Sequence, residues 1–333
     1  MPEPSPSSQR RGRRLLRFGA ACVVLSAVAG YVVVQYVTGG ADDPGCRVVS
    51  GAADGATYEF TPEQAVNAAT IAAVGTDREM PERAVAIALA TAIQESGLRN
   101  LSHGDRDSLG LFQQRPSQGW GTAKQVTDPA YAASIFYEHL AKVPDYTELP
   151  LTVAAQRVQR SGYPEAYAKH ETDAVLLAAA LTGTSAATLT CDGRVGTGTV
   201  TGPSAVRAAL ARDFGRDALR EADAEAGEGG ETAAAADSDV PAAQTDGRTV
   251  TLPVSRKTTA AGRGVQERGW QLAHWAVANA SALHIERVSY AGREWTAGNT
   301  DSRWRATDAG STEAAGASGS GGGTGSVRIV TGQ

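Results

Sequence analysis

The chain has 333 residues, enough for two domains with linkers, because a domain usually takes roughly 100 to 200 residues. Hydrophobic residues make up 42%, which supports a packed core, whereas 38 glycines and several Ala/Gly/Ser tracts indicate that part of the chain does not fold. The net charge is -5 and no basic stripe follows the N-terminus, which argues against nucleic acid as a partner.

The N-terminus predicts a membrane anchor. Residues 1–17 contain five arginines, and residues 18–38 form a largely apolar run of the length that a membrane-spanning helix needs. Because arginines stay on the cytoplasmic side, we expect a cytoplasmic segment at 1–17, a transmembrane helix at 18–38 and a single-pass protein of the cell membrane whose bulk is extracytoplasmic. A cleaved signal peptide is the alternative, since residues 27–29 resemble a cleavage site; the apolar run continues well past them, which favours the anchor.

Two of the three cysteines are candidates for a disulfide. Cys22 lies inside the apolar run, whereas Cys46 and Cys191 bracket a stretch with a globular composition. An oxidising compartment favours a bond between these two, and closing so long a loop is worth about 5 kcal/mol in the chain-entropy model. Two free thiols are the alternative reading.

Residues 46–191 carry an almost entirely helical pattern. Helix starts are marked by prolines that follow polar or extended residues, at Pro62, Pro81, Pro129 and Pro150. Gly75 and Gly97 are expected to end the first two helices.

Residues 192–248 are expected to be a linker with a short amphipathic helix at 203–220, because the rest of this stretch has almost no large apolar residues. Residues 249–333 predict a small α/β domain, in which the hydrophobic period changes from two to 3.6 and back. Its strands are TVTLPV, HIERVSY, REWT and SVRIV, its helix is VQERGWQLAHWAVANASAL, and its Gly/Ser-rich insert near 309–325 is expected to be disordered.

Glu95 is the candidate catalytic residue. It ends the alanine-rich stretch TAIQES and shares a helix face with Ala84, Ala88 and Thr91, so its carboxylate is expected to meet the domain interior. Desolvation and the negative end of the helix dipole both disfavour the charged form and raise the pKa of the carboxyl. A carboxyl that stays protonated near neutral pH is suited to protonate a glycosidic oxygen.

The order of ESGLRN and SLGLFQQRPSQGWGT resembles exported, actinobacterial-type members of the lysozyme-like and lytic transglycosylase superfamily, which acts on peptidoglycan. The resemblance covers about residues 58–175 and rests on Glu95-Ser96 and on the Gly-Leu-Phe-Gln turn at 110–113. It implies a mainly α lysozyme-like domain after one transmembrane helix, with a second small α/β domain. It also implies peptidoglycan glycan strands as the substrate.

The resemblance assigns roles by position. It makes Glu95 the general acid/base and Gln113 a groove residue near the bound sugar, and it extends to Ser108 and Gln114. Trp120 either stacks on a sugar ring or pins a loop to the core.

One part of the family pattern is missing from the expected place. Members often carry a late Ala-Tyr-Asn segment whose tyrosine supports the acid, and residues 156–163 contain no such tripeptide. Gln159 or Tyr163 could take that role.

The resemblance implies a mechanism with one glutamate, in which the C6 hydroxyl of muramic acid attacks its own anomeric carbon. Inverting hydrolysis would instead need a second carboxylate roughly 6.5 to 9.5 Å from the first, for which Asp105 and Asp107 are the nearby candidates. Both are expected to be turn formers, because HGDRDS has a loop composition.

No cofactor or metal is expected, because the five histidines have no companion cysteines at metal-ligand spacing. The C-terminal unit faintly resembles zinc D,D-carboxypeptidase-like domains but lacks their histidine and aspartate pattern, so it is expected to be non-catalytic. The alternative to glycan-strand cleavage is a non-catalytic wall-binding or scaffolding protein with a degenerate groove.

Overall fold

The structure is a computed structural model and describes residues 45–52, 55–163, 165–193, 201–215, 244–254, 262–299, 303–307 and 325–332. These residues belong to one compact unit, which spans Pro44–Gln333. The predicted cytoplasmic segment, anchor, central linker and Gly/Ser insert lie wholly or largely outside the described residues.

The described residues form nine α-helices and nine strands. The helices are α1 (Pro62–Asp77), α2 (Glu82–Ser96), α3 (Ala123–Val126), α4 (Pro129–Ala141), α5 (Leu151–Gln159), α6 (Glu171–Thr182), α7 (Pro203–Asp213), α8 (Val265–Ala278) and α9 (Ala280–Leu283). The strands are β1 (Cys46–Val49), β2 (Thr57–Phe60), β3 (Leu189–Cys191), β4 (Gln244–Asp246), β5 (Thr249–Pro253), β6 (Ile285–Tyr290), β7 (Arg293–Thr296), β8 (Arg305–Ala306) and β9 (Ser326–Thr331).

The strands form two antiparallel sheets. The smaller sheet has the order β2-β1-β3 and the larger the order β4-β5-β9-β6-β7-β8. In the larger sheet, residues of β5 and β9 alternate between buried and more exposed positions, as expected for strands with one face on a core.

The helix α8 joins the larger sheet to the remaining helices. Every residue from Arg268 to Ala278 is buried, so the helix is covered on all sides. It packs against α1, α6 and β3, and also against β6 and β9 of the larger sheet. The helical part and the C-terminal α/β part therefore share one core.

Polar contacts fix the same junction. The Nδ1–H of His274 donates to the carbonyl oxygen of Ala180 at 2.7 Å, and its Nε2 accepts from the backbone N–H of Thr188 at 3.2 Å. This tautomer follows because a carbonyl can only accept. The indole N–H of Trp275 donates to Oδ2 of the buried Asp213 at 2.8 Å, which ties α8 to α7.

A disulfide between Cys46 and Cys191 closes the smaller sheet, as predicted. The two residues face each other across β1 and β3, 145 positions apart in the chain. The small sheet itself was not expected, because its strands are only three or four residues long.

The expected fold class is wrong. Instead of a mainly α lysozyme-like domain after one transmembrane helix, with a separate small α/β domain, the described residues form a mixed α/β unit with two antiparallel sheets. The physical reason is α8, which is buried on all sides, its polar side chains included, and is covered by helices on one side and strands on the other.

The membrane expectations are corrected as well. Among the described residues, no helix combines the length and apolarity that crossing a membrane requires. The expected anchor at 18–38 lies outside those residues, and the expected single-pass location is withdrawn with it.

Helix starts follow the proline signals, but two predicted helix ends differ. The short helix expected at 203–220 ends at Asp213. Gly75 does not end α1 but lies inside it, where an added Cβ would be 2.6 Å from the hydroxyl oxygen of Tyr137. Glycine is used there for close packing of α4 on α1, which the sequence alone does not distinguish from a helix end.

Candidate active site

Glu95 lies in the last turn of α2 and is half-buried. The helix ends at Gly97, which adopts the left-handed conformation with φ 62° at no steric penalty. The hydroxyl of Ser96 donates to the carbonyl oxygen of Leu111 at 2.8 Å, and this bond ties the helix end to the Gly-Leu-Phe-Gln turn. The two sequence motifs are thus held together by a direct contact.

Two donors hold the carboxylate of Glu95. The hydroxyl of the fully buried Tyr167 donates to Oε1 of Glu95 at 2.7 Å. The side chain of Gln159, at the end of α5, also hydrogen-bonds Glu95, and its Nε2 donates to the carbonyl oxygen of Phe112 at 2.8 Å. The acid is therefore oriented by residues from two other parts of the chain.

These surroundings act on the pKa of Glu95 in opposite directions. Burial raises the pKa of the carboxyl, the hydrogen bonds from Tyr167 and Gln159 lower it, and burial wins, so the pKa is raised. The direction agrees with the sequence-based expectation. A carboxyl of this kind holds its proton to higher pH than a surface glutamate and can act as a general acid.

Gly110 shapes the turn opposite Glu95. It has φ 77°, and an added Cβ would overlap the backbone carbonyl oxygen of Val126. Gln113 is also in the left-handed region, with φ 47°, and its side-chain amide donates to the carbonyl oxygens of Gly110 at 3.3 Å and His103 at 3.4 Å. Left-handed residues other than glycine are uncommon, and they cluster at functional sites.

A groove of about 920 Å³ opens beside Glu95. All seven residues that the sequence proposed for catalysis or substrate binding line it, namely Glu95, Ser108, Gln113, Gln114, Trp120, Gln159 and Tyr163. The remaining lining residues are Asp105, Arg106, Arg115, Gln118, His139, Lys142, Val143, Pro144, Arg157, Val158, Arg160, Ser161 and Gly162.

The lining residues differ in how they face the groove. Gln114 is 2% exposed and donates to the carbonyl oxygen of Ala132 at 3.1 Å, so its contacts hold the turn against α4. Ser108 is also buried. Trp120 stacks on the His139 ring with centroids 4.3 Å apart and packs partly buried against the core, as expected for a residue that pins a loop. Stacking on a sugar ring stays a prediction.

Tyr163 does not support the acid. Its side chain is 79% exposed at the rim of the groove, whereas Tyr167 makes the contact with Glu95. The sequence around Tyr167 is Ala166-Tyr167-Ala168, which resembles the Ala-Tyr-Asn tripeptide and lies just beyond residues 156–163, where the tripeptide was expected. Only the last residue of the tripeptide differs, and that difference hid it.

The two candidate second carboxylates have different environments. Asp107 pairs with Arg115 at 2.9 Å and accepts from the backbone N–H of Ser117 at 2.8 Å. These hydrogen bonds hold the pKa of the Asp107 carboxyl well below its usual range, and Asp107 serves as a turn former. Asp105 lines the groove and is exposed.

Comparison with protein families gives a match to part of the chain. A family model described as VldE, C-terminal domain, matches residues 218–316, less than half of the chain. The matched segment includes α8 and strands of the larger sheet but none of the groove-lining residues. No curated protein matches the chain.

Proposed function

We propose that this protein cleaves the glycan strands of peptidoglycan, with Glu95 as the single general acid/base. The observation that carries the proposal is the environment of Glu95: a half-buried carboxyl of raised pKa, oriented by Tyr167 and Gln159, at the side of an open polar groove.

The chemistry needs one proton donor that becomes an acceptor. Protonated Glu95 gives its proton to the glycosidic oxygen as the bond to the anomeric carbon breaks. The C6 hydroxyl of the same muramic acid residue then attacks the anomeric carbon, and the Glu95 carboxylate takes the hydroxyl proton. The products are a 1,6-anhydro end and a new free end, and Glu95 is protonated again.

Hydrolysis is the variant in which water attacks in place of the C6 hydroxyl. It would leave a reducing end, and by an inverting route it would need a second carboxylate as base. The carboxylate of Asp107 already accepts hydrogen bonds from Arg115 and Ser117. Among the groove residues that the structure describes, Asp105 is therefore the candidate for this base. The one-glutamate route needs no such partner and is the version that we propose.

Non-catalytic binding to the cell wall is the second candidate. The sequence feature in its favour was the missing tyrosine, and Tyr167 supplies a tyrosine hydroxyl at 2.7 Å from Glu95. The exposed arginines that line the groove would serve a binding protein equally well.

Product analysis tests the proposal. The purified full-length protein is incubated with insoluble peptidoglycan, and the soluble fragments are identified by mass spectrometry. Anhydro ends are expected, reducing ends would indicate hydrolysis, and the absence of soluble fragments would contradict cleavage. Co-sedimentation with the same peptidoglycan would then separate a binding protein from one without a saccharide role.

A further inference from the structure

One wall of the groove carries uncompensated positive charge. The C-terminal end of α5 builds this wall, and Gln159, which contacts Glu95, is flanked there by Arg157 and Arg160. Both arginines are exposed and line the groove. Both arginines therefore line the same groove as Glu95, on the wall that the end of α5 forms.

Two other cations of the groove are paired with carboxylates, whereas Arg157 and Arg160 are not. Arg106 also lines the groove and is exposed, and it has no ion pair among the described residues either. Arg115 pairs with Asp107 at 2.9 Å and Lys142 with Glu138 at 2.7 Å. Within the described part of the chain, Arg157 and Arg160 have no carboxylate within ion-pair distance. The carboxylates that line the groove there are Glu95, which hydrogen bonds already hold, and Asp105.

The backbone conformation of Arg160 also supports a functional role for this residue. Arg160 caps α5 in the left-handed conformation, with φ 51°, a position where glycine is the usual residue. An arginine is strained there, although a cation at a helix C-terminus also interacts favourably with the dipole. Burial lowers the pKa of His139, another residue that lines the groove, and the charges of Lys142 and Arg160 lower it further.

We infer that Arg157 and Arg160 are specificity residues that select glycan strands carrying carboxylates beside the scissile bond. In peptidoglycan such carboxylates belong to the peptide stems attached to the lactyl groups. A guanidinium forms bidentate hydrogen bonds with a carboxylate, so two exposed arginines beside the acid complement such a stem. This inference rests on the proposed function and adds a recognition step to it.

The experiment compares two forms of one substrate. Insoluble peptidoglycan is used as isolated and after its carboxylates have been converted to amides with a carbodiimide and glycinamide. The wild type is expected to cleave the native form about tenfold faster, which corresponds to about 1.4 kcal/mol, because a carboxylate accepts charge-assisted hydrogen bonds that an amide does not. In the double variant Arg157→Gln/Arg160→Gly this ratio is expected to fall towards one.

Further variants separate an effect on substrate recognition from an effect on the stability of the fold. Glycine at 160 relieves the left-handed strain, so the melting temperature of the double variant is expected to stay or rise while its preference is lost. Arg157→Lys/Arg160→Lys keeps the charges but loses the fork geometry, so it is expected to keep only part of the preference. Arg207→Gln/Arg293→Gln, which removes two arginines that do not line the groove, is expected to keep the wild-type ratio.

The outcomes distinguish the inference from the proposed function. Equal cleavage of both substrates by the wild type, or an unchanged ratio in the glutamine/glycine variant, overturns the inference and leaves the function standing. Cleavage of neither substrate overturns the proposed function. Co-sedimentation of a Glu95→Gln variant with both forms then decides whether the arginines select carboxylates in a binding protein, and equal binding would reject that too.

Discussion

At the scale of single residues, the chemistry of the groove is set by side chains from three elements. Glu95 comes from the end of α2, Gln159 from the end of α5, and Tyr167 from the segment before α6. Burial favours the protonated acid, and the two hydrogen bonds favour its carboxylate. The balance suits a group that must give a proton and then take one back.

The pH dependence of cleavage tests the role of Tyr167. Because its hydrogen bond stabilises the carboxylate form, Tyr167→Phe is expected to raise the pKa of Glu95 further. A general acid loses activity as pH rises through its pKa, so the alkaline limb of kcat/KM should move to higher pH in the variant. The maximum rate should fall about tenfold, because the carboxyl loses one of its orienting partners.

Tyr163→Phe is the control for this profile, since Tyr163 is exposed at the rim and does not contact the acid. Its alkaline limb should coincide with that of the wild type. A limb that stays in place or moves to lower pH in Tyr167→Phe would show that the hydrogen bond does not tune Glu95.

The sequence predicted the acid, the turn and Gln159, but not Tyr167, which hydrogen-bonds the acid. Glu95 was recognisable from its place at a helix end, and the turn at Gly110 from its resemblance to the lysozyme-like superfamily. Tyr167 contacts Glu95 from 72 positions away, and a contact of that range leaves no local pattern. The raised pKa could be predicted because it follows from the apolar face of α2.

At the scale of elements, the position of α8 between the other helices and the larger sheet is the least expected feature. Its position between two layers explains why a helix carries a buried histidine and two tryptophans. His274 is fully buried and neutral, and burial lowers its pKa from 6.5 to about 4.

Stability is expected to depend on pH through His274. The unfolded chain binds more protons than the folded chain between pH 6.5 and about 4, so stability rises with pH over this window. The contribution, about 3 kcal/mol, is complete above pH 6.5 and is lost as pH falls towards 4. Urea unfolding at several pH values should show this loss.

His274→Asn provides the comparison, because it cannot take up a proton and can still donate to Ala180. The variant is expected to be less stable at pH 7 but to lose less stability between pH 6.5 and 4 than the wild type. Parallel curves for the two proteins would show that the histidine is not the titrating group.

Local sequence signals predicted most helices and strands. They failed for elements whose formation or packing depends on contacts between residues far apart in the chain. Prolines marked the starts of α1, α2, α4 and α5, and alternating hydrophobicity marked β5, β6, β7 and β9. Strands β1 and β3 are too short to show a period and exist as a pair across 145 positions. Nothing local in α8 indicates which helices cover its second side.

At the scale of the whole molecule, the shared core makes the groove dependent on the C-terminal part. Residues 1–215 alone would leave the α8-facing sides of α1 and α6 exposed to water. This truncated chain is expected to lack a cooperative thermal transition and to bind a hydrophobic dye. A sharp transition close to that of the full chain would show that the helical part folds by itself.

The disulfide between Cys46 and Cys191 is expected to stabilise the same folded unit. Closing a loop of 145 residues is worth about 5 kcal/mol in the chain-entropy model. Reduction should therefore lower the urea midpoint strongly, and Cys22→Ala should leave it unchanged. Alkylation of Cys46 before reduction, or a midpoint insensitive to reduction, would contradict the bond.

The most direct test of the central claim is the rate at which Glu95→Gln releases soluble fragments from insoluble peptidoglycan. Glutamine keeps the shape of the side chain but cannot donate a carboxyl proton, so the rate should fall at least about a hundredfold. Glu63→Gln, which removes an exposed acid of α1, should match the wild type, and all three proteins should have similar melting temperatures. Fragment release by Glu95→Gln at the wild-type rate would contradict the assignment of Glu95 as the catalytic acid.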